Sequence, residues 1–257
     1  MQRALNGNQR QNSRNKVAET VCFQNIPGRC GPDRIGDIIT DIIDQYRPLV
    51  LFVAEARADD VADKTPPGYV HHPGTLKYRK NPRMSMLVKA GINYKVTEVK
   101  LDVPTACVEI EGWKVLGYYR EWNRDGVVNT DDPEDQFERL DKFVKALKKF
   151  KKQGKCLALG DTNIDLYNVN SDYQRKWDDM RNLLETELIG QGWLQMVRDI
   201  TRSQQGQQSS CIDHIFVTHY TYIESIDNEN ISGTDHNCVS ANVQFNKPVF
   251  VPQTFSH

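Results

Sequence analysis

Apolar positions along the chain fall in short runs that switch between the period of a strand and the period of a helix. "VAETVCFQN" at 17–25 alternates as a strand, "GPDRIGDIITDIIDQY" has helical spacing with Pro32 near its first turn, and "RPLVLFVAEA" is a buried strand. That order predicts a β-α-β unit. "SMLVKA", "YKVTEVKLDV", "TACVEIEG" and "WKVLGYYREW" follow, separated by Gly, Pro or charged turns, as in a run of antiparallel strands. "DPEDQFERLDKFVKALKKFKK" reads as a helix opened by Asp131 or Asp132 before Pro133, with its cations in the last turn where the helix dipole favours them. "KCLALGD" is a strand ending in Asp161, "QRKWDDMRNLLETELIGQGW" a helix stopped by Gly190 or Gly192, and "CIDHIFVT" and "NCVSANVQF" are closing strands. The order predicts an α/β fold of two packed mixed β-sheets with helices outside, a four-layer sandwich. Polar residues at strand ends are then the natural carriers of chemistry, held by the scaffold yet open to a substrate.

A chain of 257 residues is long enough to bury one large core without disulfides or metals as staples. The formal net charge of -1 excludes a generally basic nucleic-acid coat and leaves room only for a local basic face. Six scattered cysteines include no C-x-x-C pair, so they read as buried thiols rather than zinc ligands or disulfides. No apolar run approaches the roughly 18 residues of a membrane span. Residues 1–16 are polar and lack a signal-peptide core, and are expected to be a flexible lead-in or a stub of a longer polypeptide. The expected domain is 17–247, with 248–257 a tail or the start of a linker.

Polar residues at the predicted strand ends are Asn25, Glu55, Tyr119, Asp161, Asn163, Asp213, Asp235 and His236. Each has a bland reading: Glu55 as an exposed strand end, "GDTN" as turn or cap chemistry, a lone His as structural. Their order argues for a site. "ALGDTNIDL" resembles the G-D-x-N signature of the exonuclease-endonuclease-phosphatase superfamily, the DNase I fold. "SSCIDHIFV" is similar to that superfamily's S-x-I-D-x-I segment and "SGTDHNCVSANV" to its terminal S-D-H. Within it, "GYYREWN" and "RDITRSQQGQQSSCIDHIF" resemble the endonuclease domain that precedes reverse transcriptase in non-LTR retrotransposons.

The resemblance implies a magnesium-dependent DNA endonuclease, with Mn2+ as a substitute ion. It would nick double-stranded target DNA to leave a 3′-OH that primes a reverse transcriptase in the same polyprotein, in the nucleus and away from membranes. The alternatives are a phosphoesterase of the same fold acting on a phosphoinositide, sphingomyelin or abasic DNA, and a catalytically idle DNA-binding relative. Phosphodiester hydrolysis needs an activated water, charge neutralisation on the phosphate and help for the leaving 3′ oxygen. Magnesium favours oxygen ligands, which makes Glu55, Asn25 and Asp235 the expected metal residues. Asp161 would orient or deprotonate the water, and Asn163 would hold that water or a phosphate oxygen. His236 would donate to the scissile phosphate, its tautomer set by Asp213 or Asp235. His214 points to the other strand face. Tyr119 would touch phosphate through its hydroxyl, and Arg120 would add a phosphate contact or a surface ion pair. Ser210 would steady the loop carrying Asp213, and Thr201 would touch the DNA backbone. The basic stretch "KYRKNPR", with Lys77, Arg79 and Lys80, is the expected phosphate-tracking loop, whereas "KALKKFKKQGK" reads as a charged helix face. Two departures from the repair enzymes stand out. Pro27 replaces an acidic residue two places after the first Asn, and "YREW" replaces Tyr-x-Pro-Asn, which weakens a second metal site and abasic-site recognition.

Overall fold

The structure, a computed structural model, describes residues 18–75, 81–99, 101, 103–122, 132–167, 178–204, 206 and 209–246. In chain order its main elements are β1 (Glu19–Asn25), α1 (Pro32–Tyr46), β2 (Val50–Ala54), α2 (Ala58–Asp63), β3 (Tyr69–Pro73), β4 (Met84–Lys89), β5 (Lys95–Val96), β6 (Thr105–Ile110), β7 (Trp113–Tyr119), α3 (Pro133–Lys151), β8 (Lys155–Asp161), α4 (Asp178–Leu183), β9 (Leu194–Gln195), β10 (Asp213–Val217), β11 (Ile223–Asn230) and β12 (Asn237–Val243). They form two six-stranded mixed sheets, ordered β11-β12-β1-β2-β4-β3 and β5-β6-β7-β8-β10-β9. Each sheet holds one parallel pair, β1 with β2 and β7 with β8, and the helices α1 and α3 make the two crossovers.

Strand alternation sorts the core into three layers. Val21, Phe23, Val50, Phe52 and Ala54 face the second sheet and meet Val108, Val115, Leu157, Leu159 and Ile215. Cys22, Leu51 and Val53 point the other way and pack under Ile35, Ile38, Ile39 and Ile42 of α1. Leu116, Tyr118, Ala158 and Phe216 pack under Leu140, Phe143, Val144 and Leu147 of α3, with Met180 of α4 in the same layer. The four-layer α/β sandwich expected from the element order is therefore the observed architecture. All six cysteines are free thiols.

Most elements follow the apolar pattern, and the exceptions have local causes. Among its described residues, "YKVTEVKLDV" forms a strand at Lys95–Val96 alone. The sandwich edges β3 and β11 escaped the pattern because "YVHHP" and "IESIDNEN" are polar and only partly buried, as edge strands tend to be. The expected helix after β8 is α-helical only to Leu183, then continues as a π turn at Leu184–Leu188 and a 3-10 turn at Ile189–Gln191, where Gly192 takes φ 87. On α3 the lysine-rich stretch is a solvated helix face, with Lys145 on Asp141 at 2.6 Å and Lys148 on Glu187 at 2.6 Å. Asp132 caps α3 by accepting from Glu134 N at 2.9 Å.

The sheets approach closely at Gly117, two residues before Tyr119. A Cβ at Gly117 would overlap the ring of Phe52 and Met84 Cε on the facing sheet. Gly117→Ala is therefore expected to lower stability by about 1–3 kcal/mol through overpacking. A urea titration checks this as a lower midpoint at an unchanged slope.

Candidate active site

The register of the strands brings the expected residues together. Asn25 ends β1 in parallel register with Ala54, so Glu55 follows immediately beside it. Tyr119 and Asp161 are register partners at the ends of β7 and β8, and Asp213 opens β10 directly across from Asp161. Hydrogen bonds then join the two sheets. Asn25 Nδ2 donates to Glu55 Oε1 at 3.1 Å and to Asp161 Oδ2 at 2.9 Å. The Tyr119 hydroxyl donates to the same Glu55 Oε1 at 2.9 Å. Asp161 Oδ1 accepts from the amide of Asn163 at 2.6 Å, a local turn in which Asn163 adopts φ 54, a conformation asparagine tolerates. The Asn163 side-chain amide is tied to the Arg120 carbonyl at 2.8 Å.

His236, just before β12, donates from Nδ1 to Asp213 Oδ2 at 2.9 Å, which leaves Nε2 as the nitrogen available for other chemistry. Its backbone is held on both sides: Gln24 Nε2 donates to its carbonyl at 3.1 Å, and its amide donates to Thr234 Oγ1 at 3.1 Å. Ligand atoms of Asp161, Asp213 and His236, all buried, lie within 4.8 Å of one another. Burial raises the Asp161 pKa well above the carboxylate range, and the neighbouring Asp213 adds to the rise while His236 opposes it. Burial pulls the His236 ring down, but Asp213, through charge and hydrogen bond, together with the charges of Asp161 and Asp235 outweighs it and carries the ring up to about 9. His214 illustrates the contrast. It sits on the opposite face, fully buried, accepting from Gln195 at 2.7 Å and donating to the Ile164 carbonyl at 3.1 Å, and desolvation lowers its pKa. It is a packing residue.

The oxygen chemistry suits a hard divalent cation. Asn25 Oδ1, Asp213 Oδ1 and Asp235 Oδ1 are buried and have no hydrogen-bond partner among the described residues. Carboxylate and amide oxygens of this kind are what magnesium and manganese prefer. Asp235, however, is not drawn to Asn25 or Glu55; its Oδ2 pairs with Arg202 Nε at 3.1 Å.

Several expected contacts take other roles. Arg120 is fully buried rather than on a DNA-facing surface; it donates to the Thr162 carbonyl at 3.1 Å and to the Gln136 carbonyl and side chain at 2.9 and 2.6 Å. It is a framework cation that ties β7 to α3 and to the loop of Asn163. Thr201 is also fully buried, and its hydroxyl accepts from the amides of Ile212 and Asp213 at 3.1 and 3.0 Å, so it cannot touch a DNA backbone. Ser210 steadies the approach to Asp213 through its main chain, exchanging bonds with Arg202 at 3.0 and 2.9 Å. The hydroxyl proton of Tyr119 is committed to Glu55 rather than offered to a phosphate. Lys77, Arg79 and Lys80 lie outside the described residues. Sequence reasoning missed Arg83, Arg202, Gln24 and Thr234 as site supports. Arg83 was detectable once β2 and β4 were paired, because Ala54 opposite Met84 puts Arg83 opposite Glu55.

Neither a protein-family model nor a curated protein matches the sequence. Among solved structures, the chain superposes on the endonuclease domain of TRAS1, a telomere-specific non-LTR retrotransposon. That match has a TM-score of 0.64 at 11% identity and covers 90% of this chain and 100% of the other. It also superposes on a humanized D. rerio TDP2 carrying 14 mutations, with a TM-score of 0.60 at 13% identity over 87% of this chain and 97% of the other. The chain has the DNase I-like fold.

Two outcomes follow from these contacts. In metal-free protein the ring of His236 is expected to titrate near pH 9 by NMR, and Asp213→Asn is expected to bring the midpoint below about 6.5, the ordinary histidine value. Because the folded pKa exceeds the unfolded one, the associated stability is whole below about pH 6.5 and is lost as pH rises through about 9. Thr201→Val is expected to cost about 1–3 kcal/mol for each amide it leaves unpaired.

Proposed function

We propose that this chain is a divalent-metal-dependent DNA endonuclease of the non-LTR retrotransposon type. It nicks one strand of double-stranded target DNA in the nucleus and leaves a 3′-OH that primes a reverse transcriptase belonging to the same polyprotein. The observation that carries the reading is the buried grouping of Asp161, Asp213 and His236, joined through Asn25 to Glu55. The match to the TRAS1 endonuclease domain supports the choice of DNA as substrate over a phosphoinositide or sphingomyelin.

Asp161 orients the attacking water and takes its proton. Its raised pKa places it nearer the working pH than an ordinary carboxylate, where a general base is most effective. Asn163 Oδ1 helps hold that water, since its amide end is committed to Arg120. His236, protonated and braced by Asp213, donates from Nε2 to a non-bridging oxygen of the scissile phosphate. Glu55 and Asn25 would hold Mg2+, or Mn2+ in its place, and Tyr119 keeps Glu55 oriented. When bound, the ion neutralises charge on the phosphate and on the departing 3′ oxygen. The water adds to phosphorus as the P–O3′ bond breaks, leaving a 5′-phosphate, and the departing 3′ oxygen takes a proton from solvent to become the 3′-OH.

The test is conversion of supercoiled plasmid to open circles. Activity is expected with magnesium and none with EDTA. Asp161→Asn and His236→Gln are each expected to lower the rate by about 10²–10⁴-fold with circular dichroism unchanged. A folded wild-type chain that leaves the plasmid intact with magnesium would overturn the reading and direct attention to phosphate release from phosphoinositides and sphingomyelin.

A further inference from the structure

Glu55 is a non-glycine residue at φ 63, a left-handed conformation that a glutamate adopts only when its surroundings impose it. Asn25 and Tyr119 hold its Oε1, and Arg83 grips its backbone and Oε2. The Glu55 amide donates to the Arg83 carbonyl at 2.9 Å, and Arg83 Nε returns a bond to the Glu55 carbonyl at 3.1 Å. Arg83 Nη2 lies 3.3 Å from Glu55 Oε2. The remaining nitrogen, Nη1, lies 3.8 Å from Glu121 Oε1, and the guanidinium sits 5.6 Å over the Tyr119 ring. Gly28 completes the enclosure: a Cβ there would come within 3.0 Å of Arg83 Nη2 and 3.3 Å of the Glu55 carbonyl.

We infer that Arg83 is a positioning residue that holds Glu55, backbone and carboxylate together, in the orientation needed to receive a divalent cation. The inference rests on the metal-dependent reading above. A planar guanidinium with donors in a rigid fork can grip the carbonyl and the carboxylate of one residue at once, which a lysine cannot. The alternative role, simple countercharge, makes the opposite prediction. Removing a cation from beside a metal-binding carboxylate leaves more negative charge for the ion, so Coulomb attraction alone would tighten binding.

The test is Mn2+ binding to the whole chain without DNA, followed by the electron paramagnetic resonance signal of free Mn2+. Glu55→Gln is the control that weakens the site. Arg83→Met is expected to weaken Mn2+ binding about tenfold or more, the usual scale for losing a group that orients a ligand. Arg83→Lys should stay closer to Arg83→Met than to wild type. Binding by Arg83→Met that equals or exceeds wild type, or full recovery in Arg83→Lys, would overturn the inference. If near-ultraviolet circular dichroism shows Arg83→Met unfolded, Gly28→Ala decides. It crowds Nη2 from the other side by a few tenths of an ångström and should weaken binding, less than Arg83→Met does, whereas wild-type affinity in a folded Gly28→Ala would count against positioning. If wild type and Glu55→Gln bind Mn2+ alike, the metal reading of Glu55 and the role of Arg83 fall together. If those two differ as expected and Arg83→Met does not, only the inference about Arg83 fails.

Discussion

Two carboxylates from different sheets share the amide nitrogen of one buried asparagine. Glu55 and Asp161 would repel if left to themselves in a low-dielectric cleft, and Asn25 Nδ2 stands between them with a hydrogen for each. The nitrogen end of the asparagine faces this pair, and Oδ1 is thereby turned the other way. The orientation of an oxygen suited to a cation is a by-product of holding the sheets together at this end. The small residue at Gly117 serves the same requirement, since the facing strands close to a distance that a methyl group would disturb.

The two Asp-His neighbours in the chain show how burial alone does not decide ionisation. His214 and His236 are both nearly inaccessible, yet desolvation governs the first and a carboxylate governs the second. The difference comes from the pleat. Asp213 faces the cleft with His236, whereas His214, one residue on, faces the helix layer and finds only neutral partners. One strand thus contributes an acid to the site and a neutral ring to the core, at adjacent positions.

Central strands and long helices were legible because their apolar residues recur with a clear period, and the ends of those strands gave most of the site. Asn25, Glu55, Asp161, Asp213 and His236 could be gathered from the sequence because each follows or opens a buried run. Roles that depend on the partner across a strand were not legible. Arg120 and Thr201 look like surface contacts in one dimension, and only the packing of α3 and the path of the chain before β10 show them to be internal. Arg83 was hidden inside a basic stretch whose total charge drew attention away from its pairing with Glu55. The edges β3 and β11 were invisible for a related reason: with one side unpaired and little surface buried, they carry no apolar alternation.

The order β11-β12-β1-β2 in the first sheet means that the last strand of the fold lies against the first. Asn25 sits at the end of β1 and His236 at the start of its antiparallel neighbour β12, so the two sides of the cleft are separated by nearly the entire domain in sequence. Contacts of such long range form late, after shorter loops have closed. During synthesis the growing chain therefore carries Glu55 and Asp161 well before the histidine that completes the cluster, and Asp213 shortly before it. Among the described residues, the buried grouping of Asp161, Asp213 and His236 is therefore complete only once β12 has docked against β1.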